Sequence, residues 1–183
     1  MKLIDTFEIV EDVLYAGVFD EPKYNGVNEF RRLMDLWTDR DFLAKYFERN
    51  THLLQTSYWS NVINGDFNSN VSLVEAVNKT IEDAIEFEKR ILKIAKGKVN
   101  GKGLNDLFIP LHKEIKHNRK DDEYKAYGIK RNSWLRFYAI QIENNQYYIS
   151  GGGIKLTLEM KDSEGLNIEL NKLEKVYSHL MGF

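Results

Sequence analysis

The chain has 183 residues, 26 basic and 28 acidic side chains and no cysteine, which excludes disulfides, thiolate metal sites and a cysteine nucleophile. Hydrophobic residues at 43% and charged residues at 30% are the proportions of a folded chain, and the length suits one domain or one domain with a sizeable extension. Met1-Lys2-Leu3-Ile4-Asp5 meets an acid before any apolar run, and no stretch nears the ~20 apolar residues of a membrane helix, so the expectation is a cytoplasmic protein with no signal peptide and no membrane contact.

Residues 3–10 and 13–19 are rich in Val, Ile, Phe and Tyr and predict two strands turning at Glu11-Asp12. After a loop with Pro22, Asn25 and Gly26, Asn28 is the expected N-cap of a helix whose Phe30, Leu33, Met34 and Trp37 share one face. Thr38 and Asp41 predict the cap of a second helix, with Phe42, Leu43, Tyr46 and Phe47 inward. The polar stretch 51–70 reads as a short helical turn mixed with loop. Ser72-Leu73-Val74-Glu75 is a capping box, in which Ser caps the N3 amide and Glu returns the bond; it opens a long helix to residue 96, with Gly97 as the C′ glycine.

Gly, Asn and Lys make 98–103 a connection. Residues 104–115 predict a short helix in which Pro110 fits only the first turn or a break, and 116–122 a charged loop. Residues 124–129, 134–142 and 146–150 read as strands, the last two joined in a hairpin by Glu143-Asn144-Asn145. Gly151-Gly152-Gly153 predicts a break or bend, with a further strand over 154–160. Leu166, Leu170, Leu173, Tyr177 and Leu180 mark a final helix over 165–181. Strands and helices in separate blocks predict an α+β fold: a small antiparallel sheet with packed helices over 71–183, preceded by an acidic extension, 1–70, of a strand hairpin and helices. The two parts are separate, or one continuous domain.

The net charge of −2 hides an uneven distribution. Residues 1–89 hold 9 basic and 17 acidic side chains, whereas 90–136 hold 13 and 5. The two segments either lie against each other or serve different partners. Metal chemistry has little support: His112 and His117 are five apart, about 140° around a helix, and no zinc or calcium motif occurs. Gly151-Gly152-Gly153-Ile154-Lys155-Leu156-Thr157 is not a phosphate-binding P-loop, because Ile154 separates the last glycine from Lys155 and strand-like residues follow. Its glycines suit a bend or the close approach of another backbone, and Lys155 remains a phosphate-contact candidate.

The most informative feature is basic. Lys113, Lys116, His117, Arg119, Lys120, Lys125, Lys130, Arg131 and Arg136 lie within 24 residues, interleaved with Tyr124, Tyr127, Trp134 and Tyr138. Cations fix phosphates and aromatic faces stack on unpaired bases, as in proteins that grip single-stranded RNA; a solvated loop beside sheet-core aromatics gives the same composition.

Trp134-Leu135-Arg136-Phe137-Tyr138-Ala139-Ile140, a turn, and then Tyr147-Tyr148-Ile149-Ser150-Gly151-Gly152-Gly153-Ile154-Lys155 resemble the C-terminal core of the RelE/HigB toxin superfamily, where an L-R-x-Y strand precedes a turn, an apolar strand, a break and a Lys or Arg. The helix containing Glu86-Phe87-Glu88-Lys89 and the terminal helix fit the same pattern, so the resemblance covers roughly the last 110 residues. It implies a metal-independent endoribonuclease, needing no cofactor, that cuts mRNA on the ribosome and is paired with a helix-turn-helix antitoxin. In such enzymes a 2′-hydroxyl attacks the adjacent phosphate while basic side chains stabilise the developing charge.

Carried over by position, Arg136 matches the strand arginine on the scissile phosphate and Lys155 the basic residue after the next strand. Lys125 and Lys130 fall where relatives place lysines in the preceding strand. The tyrosine that follows the basic residue in RelE has no counterpart over 156–161; His112 or His117 are candidates to replace it, or plain surface residues. The expected catalytic set is therefore Arg136, Lys155, Lys130 and His117, with Lys116, Arg119, Lys120, Lys125, Arg131 and Tyr138 on RNA. The alternative is a RelE-like interaction or regulatory module without catalysis.

Overall fold

The computed structural model describes residues 1–24, 26–97, 100–111, 123–128, 132–142, 145–157 and 164–182. Strands β1 (Leu3–Val10) and β2 (Leu14–Phe19) pair antiparallel around a turn in which Asp12 takes φ 57°, a left-handed conformation that Asp tolerates. Helix α1 (Glu29–Thr38) starts where Asn28 accepts the Arg31 amide, and it buries Phe30, Leu33, Met34 and Trp37 as the spacing predicts. Helix α2 (Arg40–Arg49) is capped by Asp39, whose carboxylate accepts the amides of Asp41 and Phe42. The expected cap Thr38 instead turns its hydroxyl back to the Met34 carbonyl, so it closes α1. The stretch 51–70 contains α3 (Thr51–Leu54) and α4 (Ser57–Asn64). Helix α5 (Leu73–Ala95) opens on the Ser72–Glu75 capping box, both bonds present.

Beyond α5 the expected helix over 104–115 ends early. Helix α6 spans only Leu104–Leu107, and Phe108–Pro110 forms β3, paired with β4 (Glu123–Tyr127). The chain is extended here because the residue before a proline avoids helical ψ and because β4 offers an open edge. Strand β5 (Leu135–Ile142) follows, then β6 (Gln146–Ile154), with Asn145 at φ 60° in the hairpin turn. The three glycines do not break the chain: β6 runs through them, paired to β5 as far as Leu135–Ile154, with one bulge between Tyr138 and Ala139. It stops at Ile154, so the strand expected from 154 does not continue over 155–157, and 158–160 lie outside the described residues. Helix α7 (Glu164–Leu180) closes the chain.

Among the described residues this is an α+β fold of seven helices and one sheet of six strands in the order β1-β2-β6-β5-β4-β3. The sheet is larger than expected and mixed rather than antiparallel, because β2 joins β6 in parallel. The N-terminal hairpin is thereby an edge of the same sheet. One face buries Trp37 of α1, Phe47 of α2 and Phe87 of α5 with Phe137, Leu135 and Ile149; Trp37, Phe87 and Phe137 have mutual ring distances of 4.9–6.5 Å. The other face packs Leu173 and Val176 of α7 on Ile140, Tyr138 and Tyr148. Burial of each such side chain contributes about 1.5–3 kcal/mol, which is why helices with a single apolar stripe are held. No described helix is long and apolar enough to cross a membrane.

Candidate functional site

Residues directly opposite in an antiparallel ladder share a face. Lys125 lies opposite Tyr138, Tyr127 opposite Arg136, and Arg136 opposite Gly153, so β4, β5 and β6 bring these groups to the face away from Phe137. Arg136 is only 8% exposed. It donates to the carbonyls of Ser133 and Leu135, and its guanidinium stands 3.9 Å from the Tyr127 ring centre. Burial lowers its pKa to about 10, while the phenols of Tyr127, Tyr138 and Tyr58 act the other way.

Lys155 lies just beyond β6, its amide bonded to the Trp134 carbonyl at 2.7 Å. Its pKa is lowered by burial first, then by the like charges of Arg136 and Lys125. Lys125 Nζ donates to the Leu111 carbonyl and sits 5.9 Å from the Tyr127 ring centre. Tyr138 is buried, and that burial pushes its phenol up to about 12, so it stays protonated near neutral pH.

Strand β2 pairs with β6 only over Leu14–Ala16 and Tyr147–Ile149. Past that point side chains take the place of the missing strand. Glu169 of α7 accepts the Gly152 amide at 2.7 Å, the Tyr46 hydroxyl donates to the Ile154 carbonyl at 2.9 Å, and Trp59 donates to the Leu156 carbonyl at 2.8 Å. Behind Glu169 lies a buried ion cluster. Arg32 grips Glu29 with two bonds of 2.6 and 2.7 Å, Lys172 reaches Glu29 at 3.0 Å and Glu169 at 3.6 Å, and Glu21 lies 3.4 Å from Lys172. Burial raises the pKa of Glu169, against the pull of Lys172 and Arg32. A cavity of about 570 Å³ opens beside this edge, with Lys155, Tyr138, Gly153 and Glu169 among its walls, together with Phe42 and Tyr46 of α2.

Four of the residues expected on RNA or in catalysis, Arg136, Lys155, Lys125 and Tyr138, thus come together. Lys116, His117, Arg119, Lys120, Lys130 and Arg131, and also His112, lie outside the described residues. Two interleaved aromatics belong to the core: Trp134 is fully buried with its indole N–H on Thr80 Oγ1 at 3.0 Å, and Tyr124 packs edge-on to Tyr147. The ion cluster escaped the sequence reading, although a signal exists. Glu29-x-x-Arg32-Leu33 and Glu169-x-x-Lys172-Leu173 both place an acid–base pair three apart on the same stripe as core residues. Among the described residues no three His, Asp or Glu side chains are grouped to hold a metal ion. No protein-family model, curated protein or solved structure matches the chain.

Proposed function

We propose that the protein is a RelE/HigB-like toxin, an endoribonuclease acting on ribosome-bound mRNA and restrained by a cognate helix-turn-helix antitoxin. The observation that carries this reading is Arg136, a nearly buried guanidinium held among carbonyls and phenols, with Lys155 and Lys125 near enough to repel one another. A guanidinium fork suits the oxygens of a phosphodiester, and further positive charge beside it adds to the attraction for an anion.

In the reaction, the 2′ oxygen bonds to phosphorus as the P–O5′ bond breaks, leaving a 2′,3′-cyclic phosphate and a 5′-hydroxyl. The 2′-hydroxyl loses its proton to solvent, and the leaving 5′ oxygen gains one. Arg136 and Lys155 bear on the non-bridging oxygens, where negative charge grows. The lowered pKa of Lys155 also makes it the better proton donor to the 5′ oxygen. Tyr138, protonated and beside them, donates a hydrogen bond.

Induced expression in a bacterial host tests this, with the native chain compared with Arg136→Ala and Lys155→Ala and mRNA ends mapped by primer extension. Growth arrest with cleavage that both changes abolish, in variants whose circular dichroism is native, supports the enzyme. No arrest, or arrest indifferent to both, favours a non-catalytic RelE-like interaction module. That second reading has its own observation: Leu156 and Thr157, not a tyrosine, follow Lys155.

A further inference from the structure

Two of the three glycines in β6 are accounted for by packing, and the third is not. A Cβ on Gly152 would lie 2.2 Å from the Arg136 carbonyl oxygen, and one on Gly151 would lie 1.9 Å from a Glu169 oxygen. Among the described residues a Cβ on Gly153 would meet nothing within 4 Å, and Gly153 does not have the left-handed φ that favours glycine. Glycine inside a strand costs about 0.5–1 kcal/mol relative to alanine, and it is favoured where another group approaches the backbone closely.

Gly153 lies opposite Arg136 in register and also lines the 570 Å³ cavity, whose wall includes Lys155. We infer, building on the RNA-cleaving reading above, that Gly153 floors a recess which receives a nucleobase of the RNA next to the phosphate held by Arg136 and Lys155. The volume falls within the roughly 300–1,000 Å³ of small-ligand sites. Phe42 and Tyr46, both only partly buried and stacked with centroids 6.3 Å apart, line it from the α2 side of the β6 edge, and Tyr138, on the same sheet face as Gly153, adds a third ring. Polar groups for a base edge stand on the same wall: Asn50, which uses its amide nitrogen on the Tyr46 carbonyl and keeps its oxygen as an acceptor, and the exposed His52. A base has both a π-face and an edge of donors and acceptors, which an apolar peptide side chain lacks.

The test is an NMR titration of the full chain with AMP, UMP and ribose 5-phosphate, which share the phosphate and differ in the base. Both nucleotides bind at least about tenfold more tightly than ribose 5-phosphate, the factor expected from stacking one base. Gly153→Val brings AMP and UMP down to the level of ribose 5-phosphate, while Lys155→Ala weakens all three alike. Gly153→Ala, whose added atom meets no described neighbour, gives the same comparison with a smaller loss should the valine variant not fold. Nucleotides binding no better than ribose 5-phosphate, with Lys155→Ala still weakening both, overturn the recess and leave the phosphate contact standing. A preference for nucleotides that Gly153→Val and Gly153→Ala leave unchanged also overturns it. If none of the three binds at millimolar concentration, the recess and the phosphate reading fall together.

Discussion

The Arg136 guanidinium lies 3.9 Å from the centre of the Tyr127 ring, its directly opposite neighbour on β4. The contact lets a strand arginine stay buried without a carboxylate among its described partners, because the ring face offers negative potential without a full charge. Tyr127→Leu therefore loses about 1–2 kcal/mol of stability in urea unfolding and, on the proposed function, reduces RNA cleavage, whereas Tyr127→Phe, which keeps the ring, stays within about 0.5 kcal/mol of native. Equal losses in the two variants would show that the hydroxyl, not the ring face, matters.

Neighbouring glycines in β6 respond oppositely to the same substitution. Gly152→Ala drives a methyl against the backbone of β5, which cannot retreat without breaking the ladder, and costs about 3 kcal/mol or more. Gly153→Ala is neutral or raises stability by about 0.5 kcal/mol, since it only restricts the unfolded chain. Thermal melts of both variants check the contrast.

The ion cluster couples α1 to α7. Lys172 is 2% exposed and is shared by Glu29, Glu169 and Glu21, so Lys172→Met strands buried carboxylates and costs about 3–5 kcal/mol. Adding Glu29→Gln removes one of those charges, and the double variant is more stable than the sum of the single losses predicts by about 1–3 kcal/mol. A double-mutant cycle in urea measures that coupling, and simple additivity would contradict it.

Alkaline pH weakens the fold through its buried phenols. Burial raises Tyr46 and Tyr138 to about 12 from the ordinary value near 10. Their contribution is fully present below pH 10, where neither state is ionised. It is lost as pH rises from about 10 to 12, because the unfolded chain releases those protons first, at a cost of about 2–3 kcal/mol for each phenol. Urea midpoints between pH 8 and pH 11.5 should fall, and Tyr138→Phe should make the decline shallower.

What the amino-acid sequence determined by itself is whatever depends on residues within a turn of one another. Asn28 and the Ser72–Glu75 box mark helix starts because each bond closes over three residues. Phe30, Leu33, Met34 and Trp37 are buried because one helix face must be. Arg136 and Lys155 were singled out together only by the resemblance of their hairpin to the RelE/HigB core; the hairpin itself, the shortest long-range pairing a chain makes, was legible in the sequence. Tertiary structure alone decided the rest. Phe108–Pro110 became a strand because β4 had a free edge, and β2 entered the sheet in parallel because of the path of the helices between it and β6. Lys172 met Glu29 across 143 residues, and the split between β2 and β6 left the edge that Glu169 and Tyr46 complete. Even the glycine run had three separate surroundings, the Arg136 carbonyl, the Glu169 carboxylate and, at Gly153, no described neighbour. A glycine is identical in sequence wherever it stands; what lies above its Cα is decided by elements that arrive from elsewhere in the chain.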